Sequence, residues 1–272
     1  RFYVFAMIVY IVVLSCRTFI DRNLRSLVLK AIVLAAGYGK RLHPLTVTTP
    51  KALLEMGSGP MISYPINALL AAGITDITVV VGYKSDDLVA SLKKLYPAIR
   101  FCLNDQYDGD NAISIYAVRS YVKDDPFILV MGDHMISPQI VEILLSNSNN
   151  QRSLCVDSAP TNPSQVNDGT KVIVDSMGQI IDIGKSLENW QFIDTGVFLM
   201  DREVIDTIKY LKTQQGTKVS ISEVVKYMAD IRKPFKICDV TGEFWADVDT
   251  VEDYYSVRKL LKLRTGISNS RE

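Results

Sequence analysis

Cysteine and histidine are scarce in this 272-residue chain, and their scarcity excludes several kinds of chemistry. The four cysteines, Cys16, Cys102, Cys155 and Cys238, are scattered, with no C-x-x-C pair among them. A cysteine zinc site or a redox dithiol is not expected. Isolated thiols suit a reducing cytosol, where they act as small core residues. Two histidines, His43 and His134, are too few for a histidine-rich metal site. An excess of charge of either sign is also missing, because 30 Lys and Arg balance 30 Asp and Glu. This argues against a surface coated in positive charge, and no nucleic-acid partner is expected. There is no low-complexity tract, no internal repeat and no linker rich in Gly, Pro and Ser. What is present is 48% apolar and 22% charged, the composition of a globular chain with a sizeable core.

One long apolar run stands apart. Phe2 to Cys16 is uncharged, but shorter than the roughly 17–25 residues of a membrane-spanning helix. Arg17, Arg22 and Arg25 follow it, which would favour a cytosolic side for everything downstream if the run inserted. Three readings stand: a stretch that is poorly ordered or packs on the core, a membrane anchor or its stub, and a signal peptide. The third lacks the expected charges before the run and a clear cleavage site after it. The expected organisation is a hydrophobic segment over 1–29, one folded domain over 30–264 and a polar tail over 265–272. The expected location is cytoplasmic, with membrane association through residues 2–16 left open.

From Lys30 the pattern alternates. Ala31 to Leu34 reads as a buried strand running into the glycine loop Gly37-Tyr38-Gly39. Met61–Ala72 has helical spacing and stops at Gly73. Ile77–Val81 is a second strand, Asp86–Tyr96 a helix, Ile99–Leu103 a strand, and Ala112–Val122 a helix. Phe127–Met131 is a strand closed by Gly132-Asp133, and Pro138–Ser146 is again helical. Apolar strands alternating with helices predict a mostly parallel α/β sheet covered on both faces, a Rossmann-like layering. Ligands bind such sheets at the carboxyl ends of the strands, so the loops after Leu34, Val81 and Met131 should share one cleft. Gly82, directly after the second strand, is placed there. Beyond residue 150, short strands at Lys171–Val174, Ile180–Ile183 and Val197–Met200 read as a small β-rich extension closing over the cleft. A helix at Ser220–Asp230, a strand at Phe235–Val240 and a terminal helix at Val251–Leu263 complete the expectation.

The glycine loop carries the strongest signal. It reads Leu34-Ala35-Ala36-Gly37-Tyr38-Gly39-Lys40-Arg41-Leu42-His43-Pro44, with Pro50-Lys51 beyond. Small residues let backbone N–H groups approach phosphate oxygens. Arg41 can fork onto one phosphate and Lys51 can supply a compact charge to another. The loop is neither a Walker loop nor the dinucleotide fingerprint, since Leu42 stands at the third glycine position. The bland alternative is a surface turn with incidental basic residues.

These residues resemble the signature of the sugar-phosphate nucleotidyltransferase superfamily, L-A-A-G-x-G-x-R-[LM]-x-P-L-T followed by P-K. The resemblance runs from about Lys30 to Leu263. It implies a GT-A-like fold and a metal-dependent transfer, in which a phosphomonoester attacks the α-phosphorus of a nucleoside triphosphate and pyrophosphate leaves. By that resemblance Ala35 and Ala36 lie under the base and ribose, Gly37, Gly39 and Arg41 hold the triphosphate, and Lys51 sits by the transferring phosphorus; Leu34 and Lys40 are counted with them as nucleotide-binding. Arg41, Lys51 and Asp133 are the expected catalytic residues. Asp133 would be the first Mg²⁺ ligand, and the segment Trp245-Ala246-Asp247-Val248-Asp249-Thr250 would supply the second. In an extended segment Asp247 and Asp249 point to one side, so both are candidates. The alternatives are a turn residue for Asp133 and a helix N-cap for Asp249.

The segment Asn111-Ala112-Ile113-Ser114 is similar to a motif in cytidylyltransferases that make activated alcohol headgroups. It marks Asn111 and Ser114 as nucleotide-binding. Gly132-Asp133-His134-Met135 and Ile181–Lys185 look like archaeal-type inositol-phosphate cytidylyltransferases. That likeness assigns Lys185, Asp194 and Thr195 to the acceptor pocket; His134 is read as a structural or an acceptor-site neighbour of Asp133. A solvated hairpin charge remains the alternative for Lys185 and a turn residue for Asp194. The expected reaction joins CTP to a polyol phosphate, inositol 1-phosphate foremost, and the product would feed a membrane CDP-alcohol phosphotransferase of phospholipid biosynthesis. No such enzyme is expected fused after the terminal helix here. A sugar-1-phosphate nucleotidyltransferase using UTP, dTTP or GTP is a second reading. Phosphocholine cytidylyltransferase is a third, with Trp190, Phe192 and Tyr107 as candidates to surround a quaternary ammonium. A non-catalytic nucleotide-binding regulatory subunit on the same fold is a reading of another class.

Overall fold

A computed structural model describes residues 29–161 and 163–264. The apolar run Phe2–Cys16 and the tail from Thr265 therefore lie outside the described residues. The chain enters through β1 (Lys30–Ala35), whose four central residues are fully or nearly buried. It then passes through the glycine loop and two single helical turns to α1 (Ser63–Ala71). Next come β2 (Asp76–Val81), α2 (Ser85–Leu95), β3 (Arg100–Leu103), α3 (Asn111–Ala117) and β4 (Phe127–Met131). The helix expected over Ala112–Val122 is interrupted at Val118, and a separate turn spans Arg119–Val122. β5 (His134–Ile136), α4 (Pro138–Asn147), β6 (Ser153–Asp157), β7 (Lys171–Val174), β8 (Ile180–Gly184) and β9 (Phe192–Met200) follow. The chain closes with α5 (Arg202–Gln215), α6 (Ile221–Asp230), β10 (Lys236–Asp239), β11 (Trp245–Asp247) and α7 (Val251–Arg264).

The main sheet has the order β10-β6-β9-β4-β1-β2-β3, with β7 paired to β9 and β8 to β7. Strands β3, β2, β1 and β4 run parallel, and β10 is parallel to β6. β9 runs against both β4 and β6. The fold is thus the expected α/β sheet flanked by helices. The second half of the chain differs in detail: β6, β9 and β10 belong to the central sheet, and only β7 and β8 form a side hairpin. The fully buried sequence of β6 explains its place between two neighbours.

Alternation along the strands feeds two cores. Ile32, Val80, Phe127, Leu129 and Phe198 pack on one face with residues of α3, α5 and α6. Val33, Ile77, Val79, Ile128 and Leu199 pack on the other with α1, α2 and α4. A third cluster of Leu42, Leu54, Met56, Met61, Met135, Ala246, Val248, Tyr254 and Val257 pins α7 and the segment before it against the glycine loop. Apolar burial is the physical agent that brings residues near 249 to residues near 41. Among the described residues no helix is long and apolar enough to cross a membrane.

Candidate active site

The glycine loop leaves β1 at its carboxyl end and folds back over Lys51. The hydroxyl of the fully buried Thr46 donates to Gly39 O at 2.8 Å, which fixes that return. Leu34, Ala35, Gly37, Lys51, Gly132 and Asp133 share one small cleft where β1 and β4 end side by side. Lys51 is the centre of the charge arrangement. Its Nζ donates to Asp133 Oδ2 at 2.6 Å and to Asp249 Oδ1 at 2.7 Å. Arg41 donates to the other oxygen of Asp249 at 2.6 Å. Burial disfavours the Lys51 ammonium, but the two carboxylates outweigh it and hold its pKa above the ordinary lysine value. Burial likewise opposes the charge on Asp249, yet Lys51 and Arg41 keep that carboxyl well below the usual range.

Asp249 does not cap α7. Thr250 and Asp253 serve that end reciprocally: Asp253 Oδ2 accepts from the Thr250 N–H at 2.9 Å, and Thr250 Oγ1 accepts from the Asp253 N–H at 3.1 Å. With Val248 buried in the third core, Asp247 and Asp249 face the opposite side, as the extended spacing requires. β11 pairs antiparallel with β5 and sets Asp247 opposite His134.

A cavity of about 280 Å³ opens from this charge cluster. Asp133, His134, Asp247 and Asp249 line it, together with Asp168, Lys185, Asp194 and the start of α6. His134 is held on three sides. Its Nδ1 donates to Thr195 O at 2.8 Å, its ring lies nearly parallel to Trp245, and Gly196 sits directly beneath it. Because a carbonyl only accepts, Nδ1 carries the proton, and Nε2 is left 3.8 Å from Asp133 Oδ1. Burial works against a charged His134, but Asp133 and Asp247 prevail and raise its pKa. Burial pushes Asp194 up to about 6, against the Gly196 N–H that its carboxylate accepts at 2.7 Å. Burial also raises Asp247.

The register of β9 explains Asp194. The β6–β9 pairing shifts between Leu154 and Val156, and Gly196 has φ +77° there. A bulge at this point re-aims the strand so that Asp194 reaches the cavity. Thr195 goes the other way. Its side chain is fully buried and donates to Cys155 O at 2.9 Å, so only its carbonyl serves the site, by holding His134.

Other predicted residues also find definite partners. Asn111 lines the cavity, and its side-chain oxygen accepts from the N–H of Ile221 at 2.8 Å, joining the starts of α3 and α6. Ser114 is buried, and its hydroxyl accepts from Asn104 Nδ2 at 3.0 Å; it does not line the cavity. Lys40 lies over the Tyr38 ring on the outer side of the loop. Trp190 and Phe192 are packed against the two main cores and do not line the cavity, whose aromatic walls are Phe198, Trp245 and His134. Asp168 and Ser222 line the cavity without having been singled out in the sequence, because neither stands in a recognisable motif.

A family model described as nucleotidyl transferase matches residues 30–263. The bifunctional IPC transferase and DIPP synthase of Aquifex aeolicus is 32% identical over 232 residues, covering 85% of this chain and 51% of that protein. A mannose-1-phosphate guanyltransferase of Kluyveromyces lactis is 31% identical over 240 residues, covering 84% of this chain and 63% of the relative. Among solved structures, the inositol-1-phosphate CTP transferase from T. maritima superposes with a TM-score of 0.75 at 25% identity, covering 86% of this chain and 96% of that one. The chain spans about half the length of the bifunctional relatives it matches.

Proposed function

The chain belongs to the nucleotidyl transferase family, and from that premise we propose that it couples CTP to inositol 1-phosphate or a close polyol phosphate, releasing pyrophosphate. The observation that carries the reading is the convergence of Arg41, Lys51, Asp133 and Asp249 at the mouth of a polar cavity. A binding-only subunit has no need of cations and acids locked together where a triphosphate would meet an acceptor.

The donor set fits a hard cation. Asp133 lines the site, and its Oδ1 is buried with no hydrogen-bond partner. Among the described residues no group of three or more His, Cys, Asp or Glu is arranged as a metal cage. That is compatible with Mg²⁺, which is commonly held by one or two carboxylates together with substrate phosphates. Asp133 and Asp249, with Asp247 beside them, would hold it, and when bound it would neutralise charge on the triphosphate.

The chain's own groups account for the remaining steps. Backbone N–H groups of the glycine loop and the Arg41 fork bind the outer phosphates. Lys51, kept charged by its surroundings, stabilises the negative charge that grows at the α-phosphorus. An acceptor-phosphate oxygen forms the new bond to that phosphorus as the bond to the bridging oxygen breaks in line. A phosphomonoester is largely a dianion near neutral pH, so no protein base is required. Lys185 would meet the acceptor phosphate, while Asp168 and Asp194 would accept hydrogen bonds from hydroxyls of the polyol. Trp190, Phe192 and Tyr107, the aromatics considered for choline, lie outside this cavity. A CDP-polyol product suits coupling to a membrane CDP-alcohol phosphotransferase.

The test is pyrophosphate release with Mg²⁺, each nucleoside triphosphate in turn and a panel of acceptor phosphates. Release with CTP and inositol 1-phosphate carries the proposal. Release only with a sugar 1-phosphate and another nucleotide replaces it, and no release with any pair favours the non-catalytic reading.

A further inference from the structure

Asp157 is a buried acid that the transfer chemistry above does not use. It ends β6 and is 5% exposed. Its Oδ1 accepts from the Ala159 N–H at 2.9 Å, and its Oδ2 accepts from the indole Nε1–H of Trp245 at 2.8 Å. Among the described residues these hydrogen-bond partners are uncharged N–H groups. Burying an acid costs free energy that two uncharged donors only partly return, and an apolar residue would fill the space at less cost. What the acid adds is direction. An indole N–H lies in the plane of its ring, so an acceptor set in the framework fixes that plane. Trp245 is held through its backbone as well: the buried Gln165 donates from Nε2 to Trp245 O at 2.8 Å.

The fixed ring faces the cavity. In the β11–β5 pair Trp245 stands opposite Ile136 and Asp247 opposite His134, so Trp245 and Asp247 share one face. The indole lies 17° from the plane of the His134 imidazole, with centroids 6.4 Å apart, and both rings line the cavity. Thr195 O and Gly196 hold the imidazole from β9, and the indole adds a third restraint.

We propose that Asp157 is a positioning residue for the acceptor: through the Trp245 indole it fixes the wall that Trp245 and His134 present to the cavity. This rests on the nucleotidyl-transfer reading and adds to it a residue that does not itself line the cavity. With its plane set, the indole opposes rotation of the imidazole. The Nδ1–H then stays on Thr195 O, and Nε2 stays on the Asp133 side. A polyol phosphate meets a rigid wall and is held in one orientation toward the reacting phosphorus. Asp157 thus acts on the acceptor and leaves the nucleotide, which the glycine loop holds, unaffected.

The competing role is structural, in which Asp157 only closes the turn after β6 through Ala159. The two roles part in the kinetics of pyrophosphate release by the whole chain. Inositol 1-phosphate is varied at saturating CTP, and CTP at saturating inositol 1-phosphate. Asp157→Asn keeps the shape of the side chain but turns one acceptor into a donor that opposes an N–H. Trp245→Phe keeps a ring and removes the indole N–H. The expected result is a kcat/KM for inositol 1-phosphate roughly 10- to 100-fold lower in each single variant. The KM for CTP should stay at the wild-type level. The double variant should be no worse than the more impaired single one, because both substitutions remove the same bond. If Asp157→Asn does not fold, Trp245→Phe decides by the same split between the two substrates. A matching rise in both KM values overturns the proposal in favour of the structural role. Unchanged acceptor kinetics in the folded variants overturn it too, and so do losses that multiply in the double variant. Wild type that releases pyrophosphate with no pair of substrates overturns the nucleotidyl-transfer reading, and the proposal with it, before any variant is compared.

Discussion

The Nζ of Lys51 lies 2.6 Å from Oδ2 of Asp133, a residue 82 positions further along the chain. The same ammonium reaches Asp249, so one cation holds together two acids that lie far apart in the sequence. Without substrate Lys51 and Arg41 find their partners in these acids, while Oδ1 of Asp133 stays unpaired. With a triphosphate bound, the negative charge of the phosphates competes for the same cations.

Lys51→Ala should therefore act mainly on turnover. The expected fall in kcat is about 100- to 1000-fold, the range seen when a donor to developing charge is removed. Nucleotide affinity, measured by calorimetry, should change far less, because the glycine loop and Arg41 remain. A near-normal kcat would remove Lys51 from the role assigned to it.

The acids can be ranked by their response to metal. In Asp133→Asn and Asp249→Asn, the Mg²⁺ concentration giving half-maximal activity should rise steeply, and in Asp247→Asn it should rise less. Asp249 is the stronger candidate of that pair because it shares Lys51 with Asp133, whereas Asp247 is set opposite His134. Activity traced over a Mg²⁺ series in the three variants checks the order, and a larger shift in Asp247→Asn would reverse it.

Asp194 gives a pH signature. Its folded-state pKa is raised from 3.8 to about 6, so between those values the native chain binds more protons than the unfolded one. Its contribution to stability therefore falls as pH rises through that window and is level above it. Asp194→Asn should remove this slope. Denaturant melts of wild type and variant from pH 4 to 7 should diverge in favour of the variant as pH rises. Parallel curves would place the titration elsewhere.

Gly196→Ala tests the seat of His134. Gly196 holds φ +77°, and a Cβ there collides with the imidazole at Nδ1. The variant should lose about 1–3 kcal/mol of stability from the backbone conformation and the collision. Thermal melting reads the first effect, and reduced turnover in the surviving folded protein reads the displaced ring.

The sheet's first half was legible because its strands are short apolar runs ended by glycine, a pattern that survives without tertiary information. β6 and α5 escape that reading. The Ser153–Asp157 stretch is too short to show a period, and the charged stripe of Arg202–Gln215 masks its apolar face at a glance. The glycine loop and its cations were equally legible, since their chemistry depends on neighbours in sequence. The partners of Ser114 and Thr195 were not, because a hydroxyl's direction is set by the elements packed around it.

Local order along the chain by itself determined the alternation of strands and helices, the small-residue turn with Arg41, and the same-side spacing of Asp247 and Asp249. Only the folded chain decided that Asp249 turns to Lys51 instead of capping α7, that a bulge in β9 sends Asp194 inward and Thr195 into the core, and that Asp157 meets the Trp245 indole 88 positions away. The reason is physical: nearest-neighbour geometry is written in backbone preference, whereas contacts across 200 residues exist only once apolar burial in the third core has paired distant segments.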